Sequence, residues 1–533
     1  MSNFDRKSKC WHGLQQPPIL NPAASIGQVI VNLLERTPDK VVEICADSEE
    51  VFTCRQLRLR MIRAALNLTQ RYGISKGDVV CMAVENSPRV TASLLGCFLV
   101  GAPAHALHAH FEESDLTHLM SITKPKLVFC NGHNYTRVEK SLASIGLDAQ
   151  IVVLDSAEAE QIVFSPVASE EKYQPPYLGD SDKTVAAIVC SSGTTNLPKA
   201  VCVSHAQLIA PYVRVNGIGV ETFLCFSSLY WGSAFQMLML ALFNGGTRIT
   251  TAKTFSPGFA GDLIAKYQVT TIFTPPPMLA DLVEHWEANR LRFPSLRIVG
   301  TGGCALPDAL RKRADALLRP EGRVFLGYSM SEFGGIIALD MEPRVNSVGT
   351  LATNVTARIV AEDGTVLGAN EEGEIQASYP HRFIGYYGNE QETAHFFTPD
   401  GFIKTGDIGR FDDDGFLYIT DRKKSMIRYQ NFQIAPAQLE AVIVELTGVK
   451  QAVVVGQPDP KISSNDLATA LVVVSKGHSV SEEEIVAHVD ASVPDYKRLR
   501  GGVFIVESLP RTGNDKIDRR QATKLARGLS QLC

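Results

Sequence analysis

The sequence predicts an α/β fold: a large N-terminal domain of helix-covered β-sheets, followed by a small C-terminal α+β domain. Three observations carry this reading. Short runs that are apolar throughout, such as 79–84, 185–190 and 271–273, alternate with stretches whose apolar residues recur at helical spacing. A strand apolar on both faces must be covered on both, which is the condition of a parallel sheet between helices. The polar tetrapeptide Asp421-Arg422-Lys423-Lys424 separates two well-patterned regions, as a domain boundary does. Finally, 533 residues exceed what one hydrophobic core ordinarily organises.

Taken in order, Ser25 caps a helix with Ile26, Val29, Ile30, Leu33 and Leu34 on one face. Thr53 with Gln56 forms a capping box ahead of Leu57, Met61, Ala64 and Leu68. The run 79–84 is a strand and a helix follows over about 89–100. Runs 125–130, 151–154, 271–273 and 296–300 are further short strands. The run 231–243 is interrupted by Ser233 and Gln236, is too short to span a bilayer, and reads as a core helix. The turns Asp400-Gly401 and Asp414-Gly415 frame a hairpin, with 416–419 as a strand. Beyond the tetrapeptide, Pro436 opens a helix through Leu439, Val442, Ile443 and Leu446. Ser481 with Glu484 caps another through Ile485, Val486 and Val489, and 452–455, 467–474 and 503–506 read as strands. No internal repeat or low-complexity stretch stands out.

The chain is 45% hydrophobic and 20% charged, enough apolar material for sizeable cores. A net charge of −5 without a basic block argues against nucleic acid as a partner. The 11 cysteines form no C-x-x-C pair, and Cys81, Cys97 and Cys130 sit in apolar runs. They read as small buried hydrophobes in a reducing compartment. Residues 1–13 are too polar for a signal peptide, and no run suits a transmembrane segment. The end Ser530-Gln531-Leu532-Cys533 is neither S-K-L nor C-a-a-X, so a peroxisomal address is not supported and a cytoplasmic location is the default expectation.

Three stretches carry chemistry. Ser191-Ser192-Gly193-Thr194-Thr195-Asn196-Leu197-Pro198-Lys199 follows an apolar strand. Its hydroxyls and backbone N–H groups can donate to a polyphosphate, Gly193 permits close approach, and Lys199 adds a charge. The spacing is not that of the G-x-x-x-x-G-K-[ST] phosphate loop, and composition alone also fits a plain turn. Gly300-Thr301-Gly302-Gly303-Cys304 ends another strand, as a turn or as a pocket wall where missing side chains admit a ligand. Gly327-Tyr328-Ser329-Met330-Ser331-Glu332 offers an aromatic face, hydroxyls and a hard carboxylate.

The first loop resembles the signature S-S-G-T-T-G-x-P-K-G of the adenylate-forming superfamily, which holds acyl-CoA synthetases, peptide-synthetase adenylation domains and beetle luciferase. Asn196 and Ala200 stand where that pattern has glycine. The segment at Tyr328 resembles G-Y-G-x-T-E, with Ser329 for a glycine. Asp400-Gly401-Phe402-Ile403-Lys404-Thr405-Gly406-Asp407 resembles D-G-W-x-x-T-G-D. The tetrapeptide is similar to the family's hinge, and Pro510-Arg511-Thr512-Gly513-Asn514-Asp515-Lys516-Ile517 resembles P-R-T-x-x-G-K-[IL]. These motifs occur in family order along nearly the whole chain, in the manner of the acyl-CoA synthetase, 4-coumarate-CoA ligase and beetle luciferase branch.

The resemblance implies a partition into an AMP-binding (adenylation) domain at 1–421, a hinge at 422–424 pivoting on Lys424, and a mobile lid at 425–533. It implies an ATP site of Ser191, Ser192, Gly193, Thr194, Thr195, Lys199, Gly327, Tyr328, Ser331, Asp407, Arg422 and Lys516. Tyr328 would stack on the base, Asp407 would take the ribose hydroxyls, and Glu332 would hold Mg²⁺. Thr194 and Thr195 would offset phosphate charge, and Lys516 would bridge the acid and the α-phosphate. Trp231, Phe235, Gly302, Gly303, Cys304, Ser329 and Phe333 would line the acyl pocket, and Asn431 and Phe432 the coenzyme A channel.

The implied activity is ATP-dependent activation of a small carboxylic acid, fatty or aryl, followed by thioester formation with coenzyme A. Arg428, placed among the catalytic groups, stands where the family has lysine; Asn431 and Asp515 stand where it has glycine. These departures lead to the expectation that adenylation survives and thioester transfer is slowed. Two rivals share the motifs: a luciferase-like oxygenase, and a nucleotide-binding paralogue with weak or no ligase turnover.

Overall fold

The computed structural model describes residues 2–17, 20–168, 170–191, 198–210, 221–422, 425–429, 432–460, 466–511 and 517–531. Its large domain contains three sheets. In the seven-stranded sheet, Val185–Ser191, Ala104–Leu107, Val80–Ala83, Leu127–Cys130 and Gln150–Val153 run parallel in that spatial order. Each is nearly or wholly buried apart from the last, as the continuous apolar runs require. Lys199–Ser204 folds back antiparallel on Val185–Ser191, with Lys199 opposite Ser191.

The nine-stranded sheet has a parallel centre that includes Thr222–Cys225, Thr271–Phe273, Ile298–Gly302 and Arg323–Met330. Helices Ile26–Arg36, Cys54–Gln70, Pro88–Val100 and Gly232–Phe243 contribute to one apolar cluster with strands of the seven-stranded sheet. Ser25 caps its helix and the Thr53/Gln56 capping box forms, as read from the sequence, while Gln28 adds a capping box with Ser25 that the reading did not include. Pro88 occupies the first helical turn, where its missing N–H costs nothing, so that helix starts one residue earlier than the pattern suggests.

The third sheet, six-stranded and antiparallel, lies beyond what the sequence pattern conveys. It orders Asn3–Asp5, Cys10–His12, Thr356–Val360, Gly373–Ser378, Ile403–Phe411 and Leu417–Arg422. The last two form the expected hairpin, entered after Gly401 (φ +86°) and turned at Gly415 (φ +80°). At Gly415 a Cβ would also lie 2.4 Å from the Ser2 carbonyl oxygen.

The small domain is a three-stranded sheet of Val449–Pro458, Asp466–Val474 and Val503–Ile505, covered on both faces. Ala452 and Val454 join Leu439 and Ile443 of helix Pro436–Val444 and Ile485 and Val489 of helix Glu482–Ser492. Val453 and Val455, pointing the other way, join Ala522 and Ala526 of the final helix Arg519–Ser530. That helix and the hairpin Ile427–Tyr429/Phe432–Ile434 are additions to the sequence reading.

Among the described residues, the large domain's apolar clusters end at Ile419 and the small domain's begin at Ile427. Polar contacts cross between them. Asp421 accepts from the Ala437 N–H at 2.9 Å, and Lys450 Nζ pairs with Asp281 at 3.0 Å and Glu284 at 3.6 Å. No helix among the described residues is long and apolar enough to cross a membrane.

Candidate functional site

Between the two domains lies a cleft of about 2690 Å³. Its floor is made where two parallel strands approach without side chains. Gly302 stands opposite Gly327, and a Cβ on Gly302 would lie 2.7 Å from the Gly327 carbonyl oxygen. Gly303, at φ +90°, then turns the chain outward. Gly303, Cys304 and Ser329 are exposed on the cleft surface.

Tyr328 follows Gly327 on its strand. Its hydroxyl donates to Asp407 Oδ2 at 2.6 Å, joining segments 79 residues apart. Asp407 is delivered by strand Ile403–Phe411, and its N–H donates to Thr405 Oγ1 at 3.1 Å. The antiparallel register places Arg422 opposite, with Nε 3.2 Å from Asp407 Oδ1. Burial raises the Asp407 carboxyl above the ordinary aspartate range, against the pull of Arg422 and the Tyr328 hydrogen bond. Burial, and then the Asp407 charge, push the Tyr328 phenol well up. The proton of this pair therefore stays on the phenol, which donates to Asp407, and the carboxyl's other oxygen faces Arg422.

The strand then closes into a 3₁₀ turn, Ser331–Phe333, which buries Glu332 in the cleft wall. Glu332 Oε1 accepts from the Tyr386 hydroxyl at 2.9 Å. Burial and the Glu332 charge raise the Tyr386 phenol. Lys199 Nζ sits 4.9 Å from the centre of the same ring and pairs with Glu392. The lysine expected to face phosphate thus stands beside Tyr386, and Tyr386 bridges it to Glu332. Sequence reasoning did not give Tyr386 this role. The two partners lie 54 residues apart, and nothing local marks the contact.

Ser191 ends its strand with a buried Oγ that has no hydrogen-bond partner among the described residues, and Thr301 Oγ1, beside Gly302, is in the same position. Both residues line the cleft. Ser192, Gly193, Thr194, Thr195, Lys424, Asn431 and Lys516 lie outside the described residues. Arg428 and Phe432 lie on strands of the small hairpin, with side chains outside that description.

Trp231 precedes helix Gly232–Phe243 at its N-cap position instead of lying within it. Its ring is edge-on to Tyr230 at 5.1 Å, and Tyr230 is edge-on to Phe111 at 5.0 Å. Tyr230 and Trp231 form an aromatic wall of the cleft, backed by the buried Phe111, and the motif reading reached this wall only at Trp231. Phe235 and Phe333 line the cleft but are each 3% exposed and belong to the main core. Ser331 also lines it.

The family model described as AMP-binding enzyme matches residues 32–387, and the AMP-binding enzyme C-terminal domain matches 438–516. The chain is 27% identical to probable 4-coumarate-CoA ligase 1 of Dictyostelium discoideum, over 96% of this chain and 97% of that one. It is 29% identical to 4-coumarate-CoA ligase 3 of Oryza sativa subsp. japonica, over 90% and 88%. Among solved structures, ATP-bound MatB from Rhodopseudomonas palustris shares the fold with a TM-score of 0.82 at 22% identity, covering 95% and 99%. The luciferase-like enzyme of the nonluminescent Zophobas morio mealworm matches with a TM-score of 0.71 at 29% identity, covering 77% and 98%.

Proposed function

The chain belongs to the family of AMP-binding enzymes, and from that premise we propose that it activates a carboxylic acid with ATP and transfers the acyl group to coenzyme A. The acid's oxygen attacks the α-phosphorus, the bond to pyrophosphate breaks, and an acyl-adenylate forms. A thiolate then attacks the acyl carbon and AMP leaves. The observation that supports this most is the Tyr328–Asp407–Arg422 cluster on the cleft wall, which gathers three separate motif segments around one carboxylate.

In this reading Asp407 accepts from ribose hydroxyls and the Tyr328 ring flanks the base. Gly302 and Gly327 leave the floor open to the planar adenine. Glu332, a single buried carboxylate oriented by a phenol, suits Mg²⁺, which takes few carboxylates alongside phosphate oxygens. When bound, that ion supplies neutralisation of phosphate charge. The hydroxyls of Ser191, Thr194 and Thr195 donate to phosphate, and Lys516 aligns two anions that repel. The aromatic wall at Trp231 and Tyr230 takes the acid's apolar body.

The domain boundary at 421, the hinge at 422–424 and the lid from 425 belong to the same proposal. Apolar clusters that stop on either side of the hinge support them. Rotation about Lys424 would withdraw Lys516 and admit the thiol.

The test compares acid-dependent ATP–pyrophosphate exchange with CoA-dependent AMP release over a panel of fatty and aryl acids. The expected result is fast exchange with slower thioester formation, sped by Asn431→Gly. Fast thioester formation that Asn431→Gly leaves unchanged would remove the second part of the reading. Exchange with no acid would remove the first.

A further inference from the structure

We propose that Glu85, His110 and His133 form a binding site for a transition cation of the Zn²⁺ class at the rim of the cleft, independent of the function proposed above. One ligand atom from each lies within 4.8 Å of the other two. His110 Nε2 stands 3.2 Å from Glu85 Oε1. That matches the ~3.3 Å between neighbouring ligands of a tetrahedral ion with bonds of about 2.0–2.1 Å. The imidazoles of His110 and His133 face one another, 24° from parallel, with centres 5.1 Å apart.

The topology explains the convergence. Ala104–Leu107, Val80–Ala83 and Leu127–Cys130 are neighbouring parallel strands, so their carboxyl ends reach one edge of the sheet. Each is followed within a few residues by one of the three ligands.

The wholly buried Asn134 ties those ends together. Its Nδ2 donates to the carbonyls of Ala83 at 2.9 Å and Ala109 at 2.8 Å, and its Oδ1 accepts from the Asn131 N–H at 2.9 Å. Asn131 Oδ1 in turn accepts from the Glu85 N–H at 2.8 Å. The backbone carrying each ligand is therefore pinned, while both imidazoles are exposed.

The donor set selects the ion. Two imidazoles and one carboxylate suit Zn²⁺, Ni²⁺ or Cu²⁺, whereas Mg²⁺ demands an all-oxygen shell. Three protein ligands leave a coordination position open. Glu85 and His110 line the cleft, so a bound cation would face it.

The experiment titrates the full chain with ZnCl₂ by calorimetry and with CoCl₂ by visible absorption, without ATP or coenzyme A. The expected result is one equivalent bound, not displaced by a large excess of Mg²⁺, with a Co²⁺ spectrum lacking a thiolate charge-transfer band. His133→Ala and Glu85→Gln should each weaken binding by about tenfold or more and abolish the Zn²⁺-dependent rise in Tm. Both positions lie outside the core, and circular dichroism confirms that the variants fold. Absence of binding, a thiolate band, or affinity unchanged in both variants would overturn the proposal.

Discussion

Among the described residues, the two domains are held by separate apolar clusters, and polar pairs meet across the joint between them. Inside the large domain, side chains such as Trp11, Phe98 and Phe129 are wholly buried, and removing any one would cost several kcal/mol, about 3–5 for an aromatic truncation. Across the joint, Lys450 meets Asp281 with both side chains about a third exposed. Pairs of that kind contribute about 0–1 kcal/mol, because water and salt replace them readily. The difference teaches where movement is cheap. Breaking the Lys450 pairs forfeits polar contacts that water can restore, while rearranging either core would expose apolar area that water cannot compensate.

The largest expected effect tests whether that cheap joint carries chemistry. Lys516→Ala should lower acid-dependent pyrophosphate exchange by about 10²–10³-fold. Thioester formation from a supplied acyl-adenylate should hardly change. Equal losses in both steps would mean that the small domain does not exchange roles.

On the large-domain side, Asp407→Asn should raise the KM for ATP by about 10–100-fold, the equivalent of a lost hydrogen bond to a charged group. Tyr328→Phe, which removes only the phenol held on Asp407, should cost less than Asp407→Asn in the same assay. A larger effect for Tyr328→Phe would move the nucleotide contact from the carboxylate to the ring.

Acid should attack the large domain's core. Burial holds His105 neutral down to about pH 3 and His205 to about pH 4. Their unfolded imidazoles protonate near 6.5, so below that pH the unfolded state binds more protons and stability falls as pH drops toward those values. The three tryptophans, Trp11, Trp231 and Trp286, all lie in the large domain, so their fluorescence reads it alone. Denaturant midpoints followed by that fluorescence should fall from pH 6.5 to pH 4, and His105→Gln should flatten the decline.

The smallest effect belongs to the joint itself. Lys450→Ala should leave the denaturant midpoint of the tryptophan signal unchanged and alter the ratio of adenylation to thioester rates by less than about fivefold.

Much of this was legible because it is local. Thr53 and Gln56, and Ser481 and Glu484, lie three residues apart and their capping boxes form, and Ser25 caps its helix. The Asp-Gly turns at Gly401 and Gly415 required positive φ, and both have it. The six-stranded sheet was not legible, because Cys10–His12 pairs with Thr356–Val360 from the far side of the chain. The helix Arg519–Ser530 buries little beyond Ala522 and Ala526, too thin an apolar stripe to announce itself. In the site, motifs pointed to Tyr328, Glu332 and Asp407, but the Tyr386–Glu332 bond and the packing of Phe111 behind Tyr230 arise only when distant segments assemble.

The most direct measurement is ATP–pyrophosphate exchange by the purified full chain across a panel of carboxylic acids, with Asp407→Asn in parallel. The account predicts exchange that appears only with a subset of acids, requires Mg²⁺, and fades in the variant at low ATP. Exchange absent with every acid, or undiminished in Asp407→Asn at low ATP, would contradict it.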